Sequence, residues 1–155
     1  MNRRYVVPAG VLAAFASASA LAGARPGAPN ANAARAAKVQ LRHTSVGTIL
    51  VNRSGFTLYR FTRDSRNKNA CVKVRECAAN WPALRSSGKP IAGPGVKASL
   101  LGTIGLPGGG RQVTYAGHAL YTYAAASERA ETVYVGAMQF GGTWDAVSSS
   151  GNLVK

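Results

Sequence analysis

Leu50-Val51-Asn52-Arg53-Ser54-Gly55-Phe56-Thr57-Leu58-Tyr59-Arg60-Phe61 is answered about sixty residues later by Gln112-Val113-Thr114-Tyr115-Ala116-Gly117-His118-Ala119-Leu120-Tyr121-Thr122-Tyr123. Val, Gly, Leu and Tyr fall in register, and both stretches end on an aromatic residue. Further along, Trp81-Pro82-Ala83-Leu84 finds a counterpart in Trp144-Asp145-Ala146-Val147, and Ser86-Ser87-Gly88 in Ser149-Ser150-Gly151. Self-similarity at a fixed spacing is the signature of a duplicated structural unit.

Each copy predicts a hairpin. Thr48 to Val51 is β-branched, and Asn52 to Gly55 is turn chemistry with Gly55 suited to positive φ. Phe56 to Arg63 then alternates, placing Phe56 and Leu58 on one face and Tyr59 and Phe61 on the other. The second copy predicts Arg111 to Tyr115, a turn at Ala116-Gly117, and His118 to Ala124. Because Gly117 stands where Gly55 stands, a shared turn geometry is expected. Ala78 to Pro82 has room for one helical turn, while Thr132 to Met138 and Thr143 to Val147 read as strands. No stretch beyond the N-terminus keeps a helical period. The expected fold is all-β, with about eight short strands in two tandem related hairpin repeats packed as one sandwich- or barrel-like domain with short helical turns.

The N-terminus reads as a targeting segment. Arg3 and Arg4 precede an uncharged, Ala-rich run from Val6 to Leu21, and Ala22-Gly23-Ala24 makes a small-residue cleavage site. That run is short for a spanning helix, which needs about 20 apolar residues. The expected organisation is a signal peptide at 1–24, a flexible linker at 25–40, and a two-repeat β domain at 41–155. Copy one covers about 46–97 and copy two about 98–155. Leu21-Ala22-Gly23 is how a lipoprotein signal ends before its lipid-bearing Cys, but Ala24 occupies that position and no Cys precedes Cys71. The expected location is therefore extracytoplasmic, without a lipid anchor or a transmembrane helix in the mature form.

The chain carries a formal net charge of +14, or +12 once Arg3 and Arg4 are removed. Residues 35–97 hold 13 Lys/Arg against Asp64 and Glu76, whereas residues 98–155 hold Arg111, Arg129 and Lys155 against Glu128, Glu131 and Asp145. A one-sided basic surface steers toward anionic partners. Export points to wall polymers or lipid head groups, and no recognition helix or aromatic RNA-binding motif supports nucleic acid. The residues nominated for an anionic partner are Arg53, Arg60, Arg63, Arg66, Lys68, Lys73 and Arg75. The other reading of the same charge is a solvated face with no specific partner.

Cys71 and Cys77 are the two cysteines of the chain. In an exported protein so close a pair is most simply a disulfide, with a redox dithiol or half a metal site as rivals. Asp64, set among Arg60, Arg63 and Arg66, is either a ligand contact or a turn-capping carboxylate. His43, His118 and Met138 are the candidates for a metal or haem iron. No nucleophile elbow or phosphate loop is present, so no catalytic residue, metal or cofactor is nominated.

Tyr59-Arg60-Phe61-Thr62-Arg63-Asp64 has the form Tyr-x-aromatic-x-x-Asp. Followed by a Cys pair and a Trp-Pro element, it resembles the bacterial secreted repeat family with a Tyr-x4-Asp motif, also described as predicted lipoproteins. Ala98 to Thr103 and Gln112 to Tyr121 resemble it too, so the likeness spans about residues 46–151. The motif residues are Tyr59, Phe61 and Asp64, with Tyr121 and Tyr123 in the second copy, where Ala126 replaces the acid. The Cys pair is also wider than the three-residue gap of that family. The resemblance implies an exported, non-enzymatic envelope protein of undefined role. The alternative is an extracytoplasmic electron-transfer or metal-handling protein using Cys71, Cys77, His118 or Met138.

Overall fold

A computed structural model describes residues 36–155. The expected signal peptide at 1–24 and the part of the expected linker up to residue 35 lie outside the described residues. The fold is mostly β, as expected. Ten strands run in chain order: β1 (Lys38–Thr44), β2 (Gly47–Asn52), β3 (Tyr59–Phe61), β4 (Ile91–Ala92), β5 (Leu101–Gly105), β6 (Arg111–Tyr115), β7 (His118–Ala119), β8 (Ala137–Gln139), β9 (Gly142–Val147) and β10 (Leu153–Val154). One short helix, α1 (Cys77–Asn80), occupies the helical turn expected before Pro82, and 3-10 turns lie at Cys71–Lys73 and Ala98–Leu100.

The strands form three sheets, ordered β2-β1-β4, β10-β9-β3 with β8 also on β9, and β5-β6-β7. None closes into a barrel, which corrects the barrel half of the expectation. A second correction concerns the linker. Strand β1 begins at Lys38, and Val39 is wholly buried, so residues 38–40 belong to a sheet. β1 pairs antiparallel with β2 along its whole length and parallel with β4.

Both predicted hairpins form, but their turns differ. In the first, Gly55 N–H bonds to Asn52 O at 2.9 Å and Asn52 N–H to Phe56 O at 2.8 Å. The Asn52 Oδ1 accepts from Ser54 N–H and Phe56 N–H. This is a three-residue loop closed on a glycine at φ 90°. In the second, Tyr115 pairs with His118 across two residues at positive φ, Ala116 at 51° and Gly117 at 79°. The glycines match; the loops do not.

After the first turn the chain leaves its own hairpin. β3 pairs antiparallel with β9, placing Tyr59 opposite Ala146 and Phe61 opposite Trp144. The related stretch does the reverse: Tyr121 bridges Ala83, and Thr122 N–H donates to Pro82 O at 3.0 Å. At the crossing, Tyr59 and Tyr121 exchange backbone hydrogen bonds of 2.9 and 3.0 Å. Residues that match in the sequence therefore face each other in space.

Leu58 is buried in one core with Val39, Leu50, Val113, Tyr115, Leu120 and Val147. Its neighbours Tyr59 and Phe61 are buried in a second, with Trp81, Trp144, Tyr121 and both cysteines. The second core is a stack of rings. Trp81 and Trp144 lie parallel at 4.1 Å between centroids, with Phe61 stacked outside Trp144 at 4.2 Å and Tyr123 tilted against Trp81 at 4.7 Å. Tyr59 meets Trp81 edge-on at 5.1 Å, and Tyr121 meets Trp144 edge-on at 5.0 Å. Offset stacks and edge-to-face pairs suit the ring quadrupole.

Candidate functional site

The segment from Thr62 to Glu76 is polar and cationic, so few apolar contacts of its own hold it. Polar anchors hold it instead. Asp64 lies at its start, 9% exposed. Asp64 Oδ1 accepts the Ala70 N–H at 2.7 Å, and Oδ2 accepts the Tyr121 hydroxyl at 2.6 Å. Asn67 N–H donates to Gly117 O at 2.7 Å, and Arg66 Nη1 to Ala116 O at 3.1 Å, tying the segment to the turn of the second hairpin. Asn69 bridges its own loop and the other half of the molecule. Its Oδ1 accepts the Val72 N–H, and its Nδ2 donates to Gln112 Oε1.

Cys71 and Cys77 are joined in a disulfide and fully buried under Trp81. Neither sulfur is a free thiolate, so the pair offers neither a metal ligand nor an exposed dithiol. Its loop is short, and replacing both cysteines by Ala is expected to cost about 2 kcal/mol on the chain-entropy estimate, read as a lower urea midpoint at unchanged slope.

The anchors settle the geometry of Asp64 and Tyr121. Burial pushes the Asp64 carboxyl up, against the hydrogen bonds from Tyr121 and Ala70 and the charge of Arg60. Tyr121 is pushed far above the usual phenol range by burial and then by Asp64, so it stays protonated and donates. The matching hydroxyl of Tyr59, pushed up to about 12 mainly by burial, has Ala126 in place of an acid in the second copy. It donates to the Glu131 carbonyl at 3.1 Å, which also accepts from Thr57 Oγ1 at 2.7 Å. The motif thus closes across the two copies, Asp64 of one on Tyr121 of the other.

The seven nominated cations divide. Arg60 is half-buried, donates from Nη1 to Gly151 O at 3.0 Å and stands opposite Asp145 across β3 and β9. Burial lowers its pKa against the raising effect of Asp64 and Asp145. The Asp145 carboxyl is itself pushed up by burial, opposed by Lys155, the Gly136 N–H and Arg60. Arg53, Arg63, Arg66, Lys68, Lys73 and Arg75 are exposed. Arg53 and Arg63 hydrogen-bond to the carbonyls of Ala36 and Phe140. Among the described residues the ion pair is Arg75–Glu76, at 3.8 Å on the surface. Lys68 and Lys73 line a shallow groove of about 250 Å³ between the loop and β5, floored by Val72 and Ile104.

The metal candidates are not brought together. His43 shares a 2.7 Å hydrogen bond with Thr48 on β1 and β2, and Met138 projects from β8, 82% exposed. His118 is half-buried, not the exposed hairpin residue its turn suggests. Burial, and then Arg60 and Arg66, hold its pKa down. Among the described residues no three His, Cys, Asp or Glu side chains cluster as metal ligands would. Sequence reasoning overlooked Gln112, wholly buried, whose Nε2 donates to Leu120 O at 2.9 Å. Its signal was available: an amide at the repeat position that Leu50 holds in the first copy.

Residues 41–85 match a family described as a secreted repeat of unknown function. The match covers the first copy up to residue 85, including the Tyr59-to-Asp64 stretch, the cysteines and Trp81; residues 86–155 lie outside it. No curated protein and no solved structure matches the chain. No described helix is long and apolar enough to cross a membrane.

Proposed function

We propose, with the secreted repeat at residues 41–85 as premise, that the protein is an exported, non-enzymatic envelope component that associates with anionic surface polymer through its basic first copy. The observation that carries this reading is the anchored loop from Thr62 to Glu76. It presents Arg63, Arg66, Lys68, Lys73 and Arg75 to solvent with one surface carboxylate, Glu76, paired with Arg75. A loop pinned by Asp64, Asn69 and a disulfide holds its charges in place, so less conformational freedom is lost on binding. Arg53 belongs to the same copy but stands on the first hairpin turn, bonded to the Ala36 carbonyl. Arg60 is left out of the contact surface, because it is half-buried between β3 and β9, opposite Asp145.

Exposed charges act at a range of about 30 Å at 0.01 M salt and about 3 Å at 1 M. The mature protein is therefore expected to be retained on isolated wall polymer, or on vesicles of anionic lipid, at low salt and released at high salt. Lys68→Gln with Lys73→Gln is expected to shift release to lower salt. Retention unchanged across that salt range sinks the reading.

A further inference from the structure

A second cationic groove lies outside the loop and includes a residue of the neutral half. The segment following β3 and α1 pairs with β6: Arg85 bridges Gln112, and Ser86 N–H donates to Arg111 O at 3.0 Å. This register sets Arg85 opposite Gln112 and Ser86 opposite Arg111, and Arg85 and Arg111 meet only as walls of one hollow. Two adjoining hollows of about 400 and 300 Å³ open there and share Ser87 and Arg111. Lys89 and Thr103 line the first, Arg85 and Gly110 the second. No Asp or Glu lines either.

The walls are built, not merely exposed. Ser86 Oγ accepts the Ala37 N–H at 3.0 Å and donates to Gly88 O at 2.7 Å, fixing the turn that carries Lys89. Arg111 Nε donates to Thr103 Oγ1 at 2.7 Å, which orients its guanidinium. Arg85 lies over Gly110, where an added Cβ would come within 3.1 Å of Arg85 Nη1. Three cations without a carboxylate line the two adjoining hollows and concentrate positive potential there. Two guanidinium forks match a phosphoryl group, whose oxygens accept paired hydrogen bonds.

We infer that this groove binds a phosphoryl group, held by Arg85, Lys89 and Arg111. The inference deepens the reading above by naming the anion, and it rests on that reading for its biological setting. The phosphoryl group can come from free phosphate or from a phosphodiester-linked polymer, and the test separates the two.

Backbone amide resonances of the mature protein are followed while inorganic phosphate, and separately a poly(glycerol phosphate), is added at constant ionic strength. The amides of Ser87, Gly88 and Gly110 are expected to shift by about 10 mM phosphate, in the range of a millimolar Kd. Arg85→Gln with Arg111→Gln is expected to weaken that binding about tenfold or more. Its thermal midpoint should change little, because both side chains are exposed and the bond lost is the surface contact of Arg111 with Thr103. Tighter response to the polymer assigns an internal phosphodiester as the source, and an equal response assigns the free anion; either supports the groove. Absence of groove shifts with both probes, or equal shifts in the double variant, overturns it. Groove shifts with phosphate in a protein not retained on wall polymer would sustain this inference while removing the earlier one, and the reverse result would do the opposite.

Discussion

Trp81→Ala is expected to destabilise the protein by about 3–5 kcal/mol, lowering its thermal midpoint by roughly 15 °C. Trp81 is wholly buried and sits in the middle of the ring stack, touching Trp144, Tyr123 and Tyr59. Truncation opens a cavity that the flanking strands cannot fill, because β3 and β9 are fixed by their own pairing. Trp144→Ala should cost less, by about 1 kcal/mol. The Trp81 indole N–H donates to Gln139 Oε1 at 2.8 Å, whereas the Trp144 indole N–H is buried with no hydrogen-bond partner among the described residues. Removing the first loses a bond; removing the second relieves a cost. Because the rings touch, the double variant should lose less than the sum of the singles. Urea unfolding followed by far-ultraviolet circular dichroism measures all three. Equal losses for the two single variants, or strict additivity, would contradict this account of the stack.

Asp64→Ala is the second large effect, about 2 kcal/mol net. It leaves the Tyr121 hydroxyl and the Ala70 N–H without their acceptor inside the protein, while sparing the cost of burying a carboxylate. Asp64→Asn should lose less, since its Oδ1 still accepts from Ala70 and its amide can donate to the Tyr121 oxygen. Tyr121→Phe should be coupled to Asp64→Ala in a double-mutant cycle, and Tyr59→Phe should not. The pH dependence has a definite sign. Burial raises the folded-state pKa of Asp64 above the unfolded value of about 3.9. The resulting contribution to stability is complete below the unfolded value and is lost as pH rises through the folded one. Wild-type stability should therefore decline over that window, and Asp64→Asn should flatten part of the decline. Asp145, also raised by burial, contributes with the same sign and accounts for slope that remains.

Much of this was legible in the residues. Alternation from Phe56 to Phe61 predicts a strand with two apolar faces, and both are buried, Leu58 in one core and Tyr59 with Phe61 in the other. The spacing of Cys71 and Cys77 predicts the disulfide, and the repeated aromatic positions form the ring core. What alternation cannot name is a strand's partner. It specifies which side chains share a face, so nothing in Tyr59-Arg60-Phe61 points to Trp144-Asp145-Ala146 as its neighbour. The same holds for the motif: Tyr59 and Asp64 are neighbours in sequence, but the hydroxyl on Asp64 comes from Tyr121. β1 was misjudged because Lys38-Val39-Gln40-Leu41-Arg42 is half polar and continues a tether-like stretch, although Val39 and Leu41 keep a period of two. The groove of Arg85, Lys89 and Arg111 stayed hidden for another reason. Counting charge by segment assigns Arg111 to a neutral half, while the pairing of Gln112 with Arg85 carries it to the basic one.

The exchange of backbone bonds between Tyr59 and Tyr121 also limits how the two copies can change. In a tandem array whose units pack side by side, one unit can drift while its neighbour keeps the original design. Here each copy completes the other, so a substitution in one is felt by residues of its twin. Position 126 carries Ala where the first copy carries Asp64, and the hydroxyl that donates to a backbone carbonyl instead belongs to Tyr59, in the other copy. With this geometry the surfaces of the two copies can differ independently, whereas a change in the interior of one is met by residues of the other.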